Sequence, residues 1–179
     1  MPTIYLSPSI QPYNKYLTEG DEQYWMNRIA DDMVPMLEQN GINVVRNTPN
    51  TSLGQAIRES NAGNYDLHLA LHSNAGPANL AGKLRGPDVY YYPYSASGKR
   101  AAELIADELR KIYPDPDFVS TVATTRLAEI TKTSAPAVLV EIAYHDNAED
   151  EAWIKNNITV IAEALTRAVC AYFEMNCAL

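Results

Sequence analysis

Two apolar segments that each carry a polar side chain near their end constrain this sequence more than any other feature. The first runs from Tyr65 to Ala75 and contains His72, and the second runs from Pro136 to Ile142 and contains Glu141. Both have the length and apolar content of strands buried in a sheet. Ligands of open α/β sheets bind at the carboxyl ends of the strands. We therefore predict that His72 and Glu141 share a site at one edge of a sheet.

Strand patterns alternate with amphipathic helical patterns along the whole chain. The predicted strands cover residues 3–6, 42–45, 66–71, 88–92 and 136–142, and the longer helices cover about 21–40, 97–113 and 157–174. Pro35 is expected to kink the first helix, Ser97 to cap the next long one, and a short strand is possible near Leu127. This order predicts one α/β domain over residues 1–179. Its sheet is twisted, mostly parallel or mixed, with helices on both faces.

Composition and charge exclude several classes of function. The net charge of −8 argues against a nucleic-acid surface, which needs clustered Lys and Arg. Two cysteines are too few for a disulfide framework. The first residues lack the features of a signal peptide, and no apolar run approaches the length of a membrane span. We expect no nucleic-acid partner, no membrane insertion and a monomer.

Three ionisable residues are the candidates for chemistry, and each has a simpler structural interpretation. His72, close to Asn74, is placed as a zinc ligand would be, or it is a strand-end histidine bonded to backbone. Glu141 follows four apolar residues, where a carboxylate is costly unless it is paired or functional. Glu22 opens the first long helix, a place that acidic residues favour through the helix dipole alone.

Taken together, these segments resemble the zinc-dependent N-acetylmuramoyl-L-alanine amidases of the amidase-3 type, which include phage endolysins and bacterial autolysins. The matching segments extend over nearly the whole chain. They are Glu22 in the first helix, Arg58 and Asn61, the His-x-Asn-Ala segment Leu71–Ala75, the Gly86–Tyr92 strand, and Pro136–Tyr144 with Asn147 and Asp150.

The resemblance implies a mechanism and a set of roles. Zn²⁺ is bound by Glu22 and His72, Glu141 is the catalytic base, and Ser73 and Asn74 contact the substrate. The substrate is peptidoglycan, cut at the amide bond between N-acetylmuramic acid and the L-alanine of the stem peptide. Such a protein, made in the cytoplasm without a signal peptide, acts on the wall after phage lysis or a lysis-type release.

One departure from the family pattern concerns the first zinc ligand. The family carries a histidine in the turn after the first strand, where this chain has Ser7-Pro8-Ser9-Ile10-Gln11. Gln11 offers an amide oxygen, a neutral ligand that is weaker than imidazole. We therefore predict Gln11 as the third ligand. The alternatives are a metal held by two residues and water, or a chain that has lost the metal.

Two other functions remain open beside the zinc amidase. One is a non-catalytic peptidoglycan-binding or regulatory relative, suggested by the missing histidine. The other is a metallopeptidase that cuts within the stem peptide. Glu141 favours an enzyme, because a pure binding protein has little use for a carboxylate at that point.

Overall fold

A computed structural model describes all 179 residues as one α/β domain. The strands are β1 Thr3–Pro8, β2 Asn43–Arg46, β3 Leu67–Asn74, β4 Asp88–Tyr91, β5 Ser120–Ala123 and β6 Ala137–Tyr144. The helices are α1 Glu22–Gln39, α2 Leu53–Ala62, α3 Ala96–Arg110, α4 Ala128–Thr131, α5 Ala148–Asn156 and α6 Ile158–Tyr172. None of the helices combines the length and the apolar character needed to cross a bilayer.

The six strands form one mixed sheet in the order β2-β1-β3-β6-β4-β5. Strands β2, β1, β3 and β6 run parallel to one another, and β4 pairs antiparallel with β6. The carboxyl ends of β1, β3 and β6 therefore meet at one edge. This architecture confirms the predicted α/β fold with a mixed sheet between helices.

Successive side chains of the central strands point to opposite faces of the sheet. Leu67, Leu69 and Leu71 of β3 join the large core that α1, α3 and α6 cover. The intervening Ala70 belongs to a smaller cluster with Ile130 of α4, on the opposite face. Since strand side chains alternate with a period of two, His68 and His72 project from that second face. The short helices on this side leave room for a cleft.

Three local predictions differ from the structure. Strand β3 continues to Asn74, so His72 lies inside the strand and not at its end. The cap of α3 is Ser95, whose Oγ accepts a hydrogen bond from the Gly98 amide, and not Ser97. Helix α1 continues through Pro35, and the kink expected there stays a prediction. Leu127 lies in no strand but directly precedes α4, because its side chain packs on the small cluster beside Ile130.

Candidate active site

A cleft of about 430 Å³ opens at the carboxyl edge of β1, β3 and β6. Its polar wall contains Gln11, His72, Glu129 and Glu141. The apolar wall is formed by Pro8, Ile10, Leu53, Ala56, Leu127 and Leu139. A few convergent polar groups against an apolar wall are typical of a small-molecule or catalytic site.

His72 lies at the centre of the polar wall, with a carboxylate at each ring nitrogen. Its Nδ1 atom is 2.8 Å from Oε1 of Glu22, and its Nε2 atom is 3.0 Å from Oε2 of Glu129. Glu22 reaches this point because it begins α1, and its carboxylate also accepts a hydrogen bond from Asn14 at 2.6 Å. The fold therefore brings His72 and Glu22, two of the predicted metal ligands, into direct contact.

Gln11 completes the cluster from the turn that follows β1. Its amide nitrogen lies 3.2 Å from Nδ1 of His72 and 3.4 Å from Oε1 of Glu22. Its amide oxygen accepts hydrogen bonds from Tyr13 at 3.1 Å and Asn14 at 3.3 Å. The structure thus brings together all three residues that the sequence proposes as metal ligands.

The carboxylates that contact His72 raise its pKa by more than burial lowers it. Burial by itself would lower the pKa of His72, but the hydrogen bonds with Glu129 and Glu22 hold this pKa well above its usual value. Burial likewise opposes ionisation of Glu22, yet the contact with His72 lowers the pKa of that carboxyl group. The two carboxylates therefore favour a protonated His72 that donates one hydrogen bond to each of them.

Glu129 is the functional residue that the sequence analysis missed. It lies in the four-residue helix α4 and is 5% exposed. Its Oε1 accepts hydrogen bonds from Oγ of Ser7 at 2.6 Å and Nε2 of His68 at 3.0 Å. Burial would raise the pKa of Glu129, but the hydrogen bonds from His68 and His72 keep it far below its usual range. The available signal was a single acid between the apolar residues Leu127 and Ile130.

Glu141 stands next to His72 in the register of β3 and β6. Its Oε2 atom is shielded from solvent and has no hydrogen-bond partner. Burial raises the pKa of Glu141 to about 7; His72 opposes this shift, and Glu22 adds to it. A carboxyl group with this pKa and a free oxygen facing a cleft is suited to accept and return a proton near neutral pH.

Ser73 and Asn74, which are predicted to contact the substrate, do not line the cleft, and their contact with the substrate stays a prediction. Oγ of Ser73 is buried on the core side, 2.9 Å from both the Tyr16 hydroxyl and Nδ1 of His145. Asn74 ends β3, where its side chain accepts a hydrogen bond from the Ala75 amide at 2.9 Å. Neither residue lines the cleft that contains His72. The alternation that points His72 toward the cleft points Ser73 away from it.

A zinc site requires several donor atoms that converge on one point. No group of three or more His, Cys, Asp or Glu side chains is arranged to hold a metal ion. Of the three predicted ligands, only His72 and Glu22 are strong ligand types, and their donor atoms lie 2.8 Å apart. Donors bound to a tetrahedral zinc ion at about 2.0–2.2 Å lie roughly 3.3–3.6 Å from one another. A modest increase in the distance between the His72 and Glu22 donor atoms would therefore make room for a zinc ion.

Gln11 supplies the third donor after a rotation of its amide group, which exchanges the nitrogen for the oxygen. The rotation presents Nε2 to Tyr13, whose hydroxyl can accept a hydrogen bond, and it gives up the 3.3 Å contact with Asn14. The second nitrogen of His72 already faces Glu129, the outer contact that metal-binding histidines usually have. The residues present thus fit a zinc ion that accepts one weak, neutral ligand.

Fold and site together define an α/β protein with a histidine–carboxylate cleft at the carboxyl edge of parallel strands. The family profile described as N-acetylmuramoyl-L-alanine amidase matches residues 15–171. The chain therefore belongs to the N-acetylmuramoyl-L-alanine amidase family, which confirms the family resemblance of the sequence. The match begins after the turn that carries Gln11, where the chain departs from the family pattern.

Solved structures of similar fold cover nearly the whole chain. Among them is the amidase AmiC2 of Nostoc punctiforme, with a TM-score of 0.82, 22% identity and 97% of each chain covered. The catalytic domain of CwlV from Bacillus (Paenibacillus) polymyxa has a TM-score of 0.84 at 18% identity, over 98% of this chain and 100% of that one. The catalytic domain of the CD27L endolysin, which targets Clostridia difficile, has a TM-score of 0.74 at 23% identity, over 99% and 100%. No curated protein sequence matches the chain.

Proposed function

We propose that this protein is a zinc-dependent amidase that cuts peptidoglycan between N-acetylmuramic acid and the L-alanine of the stem peptide. The observation that carries the proposal is Glu141, a carboxylate with a free, shielded oxygen beside His72 in the cleft. Membership of the amidase family and the convergence of His72, Glu22 and Gln11 support it.

The roles of the residues follow from their chemistry. His72, Glu22 and the rotated amide of Gln11 would hold Zn²⁺, which lowers the pKa of a water molecule and polarises a carbonyl group when it is bound. Glu141 accepts a proton from the attacking water at its free oxygen. The oxygen–carbon bond forms, the carbon–nitrogen bond breaks, and Glu141 returns the proton to the leaving amine of L-alanine. The products are a free lactyl carboxylate and a free stem peptide.

A second candidate function is a non-catalytic relative that binds or regulates at the wall. The observation in its favour is that His72 is satisfied by two carboxylates without any metal. A third candidate, a metallopeptidase that cuts within the stem peptide, would use the same residues on another bond. In the favoured reading the protein meets the wall after release from the cytoplasm, as an endolysin or an autolysin.

The test uses purified peptidoglycan, the wild-type protein and Glu141→Gln, each with added zinc and with a chelator. We expect the zinc-loaded wild type to release stem peptides whose new amino terminus is L-alanine, as identified by mass spectrometry. Glu141→Gln should lower this rate on the order of a hundredfold or more. New amino termini at other residues would indicate the peptidase. Co-sedimentation with the wall without any product would indicate the binding protein.

Glu149→Gln is the matched control, because this side chain is 79% exposed and lies outside the cleft. It should cut at the wild-type rate. An equal loss of cleavage rate in both variants would mean that the assay reports a general loss of folded protein and not the role of Glu141.

A further inference from the structure

The carboxylate of Glu129 joins three polar side chains from two strands beneath the cleft. Ser7 of β1 and His68 of β3 contact Oε1, while His72 of β3 contacts Oε2. Nδ1 of His68 in turn lies 2.8 Å from the Ser60 hydroxyl of α2. Ser7, Ser60, His68 and Glu129 are all at most 5% exposed. The result is a continuous buried chain of hydrogen bonds that ends on one nitrogen of His72.

This chain distinguishes the two nitrogens of the His72 ring. A carboxylate next to Nε2 requires a hydrogen on that atom, because a carboxylate only accepts hydrogen bonds. Nδ1 instead faces Glu22 and Gln11, the other two predicted ligands, so it is the nitrogen that would exchange its hydrogen for the metal ion. A carboxylate behind a metal-binding histidine fixes both the tautomer and the orientation of the ring.

We propose that Glu129 is a positioning residue that makes Nδ1 of His72 the metal-facing nitrogen. Ser7 and His68 hold the Glu129 carboxylate in place, so the orientation of His72 is set at the ring nitrogen that does not face Glu22. The inference rests on the proposed zinc site. It differs from a merely structural role, in which Glu129 only satisfies the buried His68.

The experiment compares wild-type protein, Glu129→Gln and Glu108→Gln. Glu108 of α3 is the control because its half-buried carboxylate pairs with Lys111, just after α3, and with Arg167 of α6, away from the cleft. Zinc affinity is measured by competition with a chromogenic chelator. The tautomer of His72 in the zinc-loaded protein is read from ¹⁵N chemical shifts, and thermal unfolding reports stability.

We expect the zinc-loaded wild type to carry hydrogen on Nε2 of His72 and to bind zinc through Nδ1. Glu129→Gln should weaken zinc binding by roughly 10–100-fold, the usual effect of losing an outer partner, while Glu108→Gln should not. A Glu129→Gln variant with unchanged zinc affinity and tautomer overturns the proposal, even if its unfolding temperature falls. Wild-type protein that binds no zinc, or binds it through Nε2, overturns it as well. Wild type that binds zinc as expected but cuts no peptidoglycan refutes the proposed function and leaves the role of Glu129 intact.

A second inference concerns the C-terminal tail and rests on a separate observation. The sulfur of Cys177 in the tail lies 2.8 Å from the sulfur of Cys170, a buried residue of α6. Backbone contacts fix the tail on both sides of Cys177. The Met175 amide donates to the carbonyl of Cys170 at 2.9 Å, and the Ala178 amide donates to Asn40 at 2.8 Å. The tail is thus already folded in the position that a cross-link would require.

We infer that Cys170 and Cys177 form a disulfide when the protein meets a small disulfide oxidant such as oxidised glutathione. Cys177 is the more exposed thiol, so its thiolate attacks the oxidant first and releases one glutathione. The Cys170 thiol then loses its proton and attacks the Cys177 sulfur of the mixed disulfide, which releases the second glutathione. Burial, together with the neighbouring Cys177, raises the pKa of Cys170 to about 12, which agrees with its role as the second attacker.

The test is incubation with oxidised glutathione, followed by intact-mass measurement and thiol counting. Wild type should lose both thiols and two hydrogens, with no adduct, and its tail should resist carboxypeptidase. The control Cys170→Ser should stop at the glutathione adduct of Cys177. A stable adduct on the wild type, or two thiols that persist, overturns the inference.

Discussion

His72 and Glu141 are direct neighbours across the β3–β6 ladder, so that the imidazole and the carboxyl group project from the same face of the sheet. The two strands are parallel, and the two residues are paired in register although many residues separate them in sequence. The pairing places a histidine held by carboxylates beside a carboxyl group that has a free oxygen.

The stability of the metal-free protein should depend on the charge of Glu141. Burial raises the pKa of Glu141 in the folded protein to about 7, above the value of 4.5 for a free side chain. Ionisation therefore costs folding stability as pH rises from about 4.5 to 7, and the cost is complete above that range. Glu141→Gln removes this cost. In the presence of a chelator, its unfolding temperature relative to wild type should rise between pH 5 and pH 8. A difference that is constant over this range would contradict the assignment.

Zinc binding should require His72. His72→Ala removes the imidazole ligand, so elemental analysis of the purified variant should find almost no zinc where the wild type holds one ion. The control is His145→Asn, since His145 contacts Ser73 and lies outside the cleft. This control should retain zinc. Equal zinc content in wild type and His72→Ala would remove His72 from the site.

Gln11 should limit the affinity for zinc. Imidazole is a stronger ligand than a neutral amide, so Gln11→His should tighten zinc binding about tenfold or more. Gln11→Ala should weaken it. Chelator competition on the three proteins measures both changes. If neither variant differs from wild type, Gln11 is not a ligand, and the metal is held by two residues and water.

Asp150 should be essential to the fold but not to the chemistry. Its buried carboxylate accepts hydrogen bonds from the Gly86 amide, the Tyr144 amide and the Tyr113 hydroxyl. Asp150→Ala leaves these donors without a partner, which should cost at least about 3 kcal/mol, or roughly 6–12 °C in unfolding temperature. The neighbouring Glu149→Ala, on an exposed side chain, should change stability by less than about 0.5 kcal/mol. Calorimetry on both variants measures these changes in unfolding temperature.

The sequence by itself determined five of the six strands and the family, and it missed β5. Apolar alternation is a local property, and it identified β3, β6 and the α/β order from residue types alone. The same local pattern pointed to His72, Glu22 and Glu141, and the turn after β1 pointed to Gln11. The alternation also contained the information that Ser73 faces away from His72.

Only the tertiary structure decided which polar groups meet. Glu129 lies 57 positions from His72 and 122 from Ser7, and nothing in its local sequence predicts either contact. These contacts arise because α4 packs on the face of the sheet opposite the large core, beside the carboxyl ends of β1 and β3. A buried carboxylate is stable there only when several donors converge on it, and that convergence is a property of packing, not of sequence neighbours.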